Sequence, residues 1–154
     1  MNELLAALES SALSTWVREA STLWAYPMII TMHTFGLGIL VGASAAVDLR
    51  LLGVAPQIPL APMRSWFTVM WIGFWLNALT GLLLFAADPR TTQLFVIKML
   101  SVVGGVALIV LIRRAVYPPG GSPASVPPIA RTYAILSLVA WAVATTTGRL
   151  MAYL

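Results

Sequence analysis

Four long apolar stretches, at about 27–47, 65–87, 94–112 and 132–152, constrain this chain more than anything else in it. Each is close to the roughly 20 residues that a helix needs to cross the hydrocarbon of a bilayer. Backbone in lipid must satisfy its own N–H and C=O groups, which favours helices. The expected fold is therefore all-α: an integral membrane bundle of four transmembrane helices forming one domain, 1–154. Composition agrees. Sixty per cent of the 154 residues are hydrophobic and 9% are charged, against roughly 25% charged in a soluble domain. So few charges would not cover the surface of a soluble protein of this size, so lipid takes the place of water over much of it.

Residues at about 2–20 are mixed, with Leu4, Leu5, Leu8, Leu13, Trp16 and Val17 among Glu3, Glu9, Ser10, Ser14 and Arg18. This pattern predicts an amphipathic helix at the membrane interface, where Trp16, Trp24 and Tyr26 can keep a polar edge wet. The opening Met1-Asn2-Glu3 and the charges at Glu9, Arg18 and Glu19 do not fit a signal peptide, so the first span is expected to be retained. Pro56, Pro59 and Pro62 punctuate the first loop, and Asp88-Pro89-Arg90 closes the second span. Prolines and glycines from Pro118 to Pro128 make 115–130 a non-helical loop by expectation. Asp48 and Arg50 are expected to cap or anchor the far end of the first span.

Arg50, Arg64, Arg113, Arg114 and Arg131 fall on the side of the first and third loops. The positive-inside rule makes that side cytoplasmic and both termini external, periplasmic in a bacterial inner membrane. The net charge of +4 is thus read as orientation, and no long basic run points to nucleic acid. With no cysteine, disulfides and thiolate metal sites are excluded. No nucleophile elbow, intramembrane carboxylate pair or phosphate-binding glycine loop is present, which argues against hydrolytic or phosphoryl-transfer enzymes. Independent catalytic activity is not expected.

Ionisable side chains inside spans are costly and mark functional sites. His33 lies roughly 9 Å below the terminal-side surface at 1.5 Å per helical residue. Lys98 enters the third span from that side and Arg149 leaves the fourth toward it. Three basic groups in one half of the bilayer call for an anion: a haem propionate, a quinone oxygen, a lipid phosphate or a small solute. Asn77 and Thr80 form a polar stripe with Gly73 and Gly81, and Trp141 and Thr145 are placed on the Arg149 face. Gly36 follows His33 by about one turn, and Gly38 with Gly42 forms a small-xxx-small pair for close helix packing or for a flat cofactor. Met28, Met32 and Met99 lie in the same half as His33, and together these four are a candidate soft site for copper.

Tyr26-Pro27 before His33-Thr34-Phe35-Gly36, the run Asp48-Leu49-Arg50-Leu51-Leu52-Gly53, Thr80-Gly81 with Phe85, Phe95 with Lys98-Met99, and Ser137 with Trp141, Gly148-Arg149 and Tyr153 are together distinctive. They resemble a bacterial family of small four-helix inner-membrane proteins of unknown function, over nearly the whole chain. The layout is also similar, at fold level, to copper-resistance membrane proteins and small b-type cytochromes. Such cytochromes use pairs of histidines, whereas this chain has one. A methionine, or His33 of a second copy, would have to supply the other ligand.

The leading expectation is a membrane redox or cofactor-binding subunit. It would hold haem b or a quinone through His33, with Lys98, Arg149, Asn77 and Trp141 around the ligand. The alternatives are copper or other small-ion transport through His33, Met28, Met32 and Met99, and a structural subunit of a larger membrane complex or homo-oligomer.

Overall fold

The computed structural model describes residues 6, 10–89, 91–118 and 126–153. Among these the fold is all-α, and four helices are long and apolar enough to cross a membrane. Helix α1 is Ala12–Glu19, α2 Tyr26–Leu51, α3 Trp66–Ala87, α4 Gln93–Val116 and α5 Pro128–Leu150; short 3-10 turns at Ala61–Ser65 and Met151–Tyr153 precede α3 and follow α5. Large apolar side chains stay exposed along the spans, including Ile72, Leu79, Leu82, Leu100, Val103 and Val139. Exposed apolar side chains of this size along membrane-length helices are what lipid covers.

The expected boundaries shift in three places. α2 runs past Val47 to Leu51, so Asp48 lies inside the helix and is buried rather than capping its end. Gly53, at φ +99°, then ends the helix, and its N–H bonds the Arg50 carbonyl. Arg50 does anchor the following loop: Nε donates to the Ile58 carbonyl at 2.6 Å and Nη2 to that of Pro56 at 2.8 Å. The loop expected at 115–130 is shorter at both ends. α4 continues to Val116, and α5 already begins at Pro128, because a proline in the first turn gives up an N–H that has no helical partner. Of the expected interfacial helix at 2–20, residues 2–5 and 7–9 lie outside the described residues, as do Arg90 and residues 119–125 of the third loop.

The chain divides into two compact units, Met1–Leu40 with Trp71–Thr91, and Val41–Met70 with Thr92–Leu154. In the first, the N-terminal part of α2 and most of α3 pack antiparallel. Ile29 packs with Leu83, Leu84 and Ala87, His33 meets Thr80, and Gly36 meets Asn77. The approach is close because two glycines allow it. A Cβ on Gly36 would stand 2.7 Å from the Asn77 backbone nitrogen, and one on Gly73 would stand 2.8 Å from that of Leu40. Between helices in lipid, contact and hydrogen bonding take over from hydrophobic exclusion, which is why small residues gather there. α1 joins this unit through Val17, buried with Ile29 and Ala87, and through Arg18, whose Nη1 donates to the Ala87 carbonyl at the end of α3. Leu13 and Trp16 remain exposed on its other face, suited to the membrane interface.

In the second unit α4 and α5 pack antiparallel: Gly105 meets Trp141 and Lys98 meets Gly148. The buried positions of α5, Ala130, Ala134, Ser137, Trp141, Ala144 and Thr147, recur every three or four residues and define one inward stripe. Tyr117, just past α4, packs edge-on against Phe67 at 5.5 Å and donates its hydroxyl hydrogen to the Leu60 carbonyl at 2.8 Å.

Candidate functional site

Unit one: a histidine fixed by α3

His33 is half-buried on α2. Its Nδ1 lies 3.0 Å from the Asn77 carbonyl oxygen and 3.1 Å from Thr80 Oγ1. A carbonyl can only accept. The Thr80 hydroxyl donates its own hydrogen to the Leu76 carbonyl at 2.6 Å, so it too accepts from the ring. Nδ1 therefore carries the hydrogen in the neutral imidazole, and the lone pair is on Nε2, with the Asn77 amide nitrogen 3.3 Å from Nδ1 and 3.4 Å from Nε2. The Asn77 amide donates to the His33 carbonyl at 2.8 Å, so the two residues bond in both directions. Gly81 keeps the other flank clear: a Cβ there would come within 3.1 Å of His33 Cε1.

A metal-ligating histidine commonly donates its second ring N–H to a backbone carbonyl, which fixes the tautomer and ring orientation. His33 has that arrangement. The glycines Gly36 and Gly73 bring helix backbones together, so they hold no space for a flat group. By contrast, a Cβ on Gly38 or Gly42 would meet no atom within 4 Å.

Met28 and Met32 are half-buried in this unit, while Met99 belongs to the second and is 37% exposed. Among the described residues, no group of three or more His, Cys, Asp or Glu side chains comes together to hold a metal.

Unit two: Lys98, Arg149 and a buried carboxyl

Lys98 is half-buried, with its aliphatic stem against Gly148. Arg149 is exposed at the end of α5, its guanidinium 5.5 Å from the Tyr153 ring centroid, beside a shallow groove with Thr145, Thr146 and Leu150. Long basic side chains near span ends reach the headgroup level in this way. Trp141 is 2% exposed and turned inward, its indole against Gly105 and its Nε1–H donating to Ser44 Oγ at 3.1 Å.

That hydrogen bond leads to Asp48, which sequence alone puts at the end of the first span as a cap or anchor. Asp48 is 1% exposed. Ser44, one turn earlier on α2, donates to its Oδ2 at 3.4 Å and lies 3.3 Å from Ser137 Oγ on α5. Ser137 also approaches the carboxyl group. Oδ1 makes no hydrogen bond. The available signal was a serine four residues before an aspartate in a run otherwise free of charge, which puts both on one helical face.

Compared with protein-family models, with characterised proteins and with solved structures, the chain matches none.

Proposed function

We propose that this membrane protein is a cofactor-binding subunit in which His33 ligates or hydrogen-bonds a haem b or a quinol. The tether of His33 Nδ1 to the Asn77 carbonyl carries the reading. With Nδ1 donating, the acceptor lone pair is on Nε2, the form that coordinates haem iron or accepts a quinol O–H, and a ligand there would take the place of the Asn77 amide nitrogen 3.4 Å away. Asn77 and Thr80 hold the ring in place and Gly81 gives it room. A bound haem would supply one-electron chemistry, and the chain's own task is to position the imidazole and keep its tautomer. The bacterial inner membrane, with external termini, is the proposed setting.

Protein purified in mild detergent is expected to show a Soret band or to yield extractable quinone, and His33→Ala to lose it. A wild-type preparation with neither, whose metal content is also nil, overturns the reading. A second reading, an assembly subunit in a larger complex or homo-oligomer, is favoured by the open flank at Gly38 and Gly42. It predicts that Gly38→Leu abolishes a crosslinkable higher-order species and leaves any spectrum unchanged.

A further inference from the structure

Asp48, Ser44, Ser137 and Trp141 form a closed polar cluster inside the second unit, and nothing in the proposed role of His33 uses it. We propose that Asp48 is a proton-binding site within the membrane, resident as the neutral acid, with Ser44 and Ser137 as its switchable hydroxyl partners.

A buried carboxylate is stable only when paired or fully hydrogen-bonded. Around Asp48, α2 presents Ser44, α5 presents Ser137 and Trp141, and α4 presents Gly105 against the indole. None of these is charged. The nearest basic residue in sequence, Arg50, is committed to the carbonyls of Ile58 and Pro56, and the Tyr117 hydroxyl to that of Leu60. Oδ1 makes no hydrogen bond in this arrangement, and an anion would have only the neutral hydroxyls of Ser44 and Ser137 to hold it. A proton removes that charge.

The hydroxyl pair accommodates both states on one frame of heavy atoms. With Asp48 ionised, Ser44 donates to Oδ2 and accepts from Ser137 and from Trp141. With Asp48 protonated, Oδ2–H donates to Ser44, and Ser44 turns its own hydrogen to Ser137 Oγ, 3.3 Å away. The Trp141 N–H points at Ser44 in both states. Uptake adds one H⁺ to the carboxylate, and release returns it to water at the membrane face, about one helical turn away past Leu51. A metal cation suits the cluster less well, because the indole N–H dipole presents its positive end to the central hydroxyl.

The test is infrared spectroscopy of the full chain in lipid nanodiscs. At neutral pH a protonated-carboxyl C=O band is expected that shifts in D₂O and is lost in Asp48→Asn, an isostere of the neutral acid. Ser44→Ala, which removes the hydroxyl that accepts the acid proton, is expected to shift the band while leaving it present. If Asp48→Asn does not fold, the Ser44→Ala shift alone decides. Absence of the band in the wild type, its persistence in Asp48→Asn, or no shift in Ser44→Ala overturns the proposal. So does loss of the band on adding sodium at fixed pH, which would make the occupant a metal cation. His33→Ala is expected to leave the band intact, so failure of the cofactor reading and failure of this one are separable.

Discussion

His33 and Asn77, 44 positions apart in sequence, bond each other in both directions. The ring Nδ1 lies 3.0 Å from the Asn77 carbonyl, and the Asn77 amide donates to the His33 carbonyl at 2.8 Å. Asn77→Leu removes the amide half of this exchange and leaves the backbone half in place. An interhelical hydrogen bond in a membrane contributes on average about 0.6 kcal/mol. The variant is expected to lose stability on that scale in a detergent-unfolding titration while keeping the helix content of the wild type.

The two kinds of glycine on α2 make opposite predictions. Gly36→Ala puts a methyl 2.7 Å from the Asn77 backbone, which cannot swing aside as a side chain would. Overpacking of this type costs about 1–3 kcal/mol. Gly38→Ala meets open space, and its helix propensity is better by roughly 0.8–1.0 kcal/mol. Unfolding midpoints of the two variants are expected to fall on opposite sides of the wild type.

Gly105→Ala tests the seating of Trp141. The new methyl would lie 2.8 Å from the indole ring, so the ring must move, and the Trp141–Ser44 hydrogen bond with it. A red shift or broadening of tryptophan emission relative to wild type, with lowered stability, is the expected result.

At alkaline pH Tyr117 should limit stability. Burial holds its hydroxyl above the ordinary value of 10.0, and the Arg50 charge opposes the shift in part. The folded state then keeps a proton that the unfolded chain releases, so the unfolded state binds fewer protons and stability falls with rising pH. The contribution is fully present below 10.0 and is lost as pH rises from there through the folded-state value. Tyr117→Phe is expected to flatten this loss in pH-dependent unfolding, at the cost of the bond to the Leu60 carbonyl.

Hydropathy made the four spans legible, since lipid selects long apolar runs whatever their packing. Their ends were less legible. Asp48 reads as a boundary on a hydropathy scale, yet α2 carries it inward because Ser44 on the same helix and Ser137 and Trp141 on α5 supply polar company. Rotation about the helix axis was likewise hidden. Trp141 could be placed on a face with Arg149 by spacing alone, but its contact with Gly105 depends on how α4 meets α5. The polar stripe of Asn77 and Thr80 was visible because amides and hydroxyls in lipid require partners. That the partner is His33 follows from the antiparallel packing of α2 on α3.

α3 fixes the His33 ring through Nδ1. The chain has one histidine, so ¹⁵N NMR of histidine-labelled protein in lipid reports that ring alone. The expected result is a ring protonated at Nδ1 with its lone pair on Nε2, changing to a tautomer mixture when the surroundings are loosened by Thr80→Val. A wild-type ring protonated at Nε2, with the bare nitrogen at Nδ1, would contradict it.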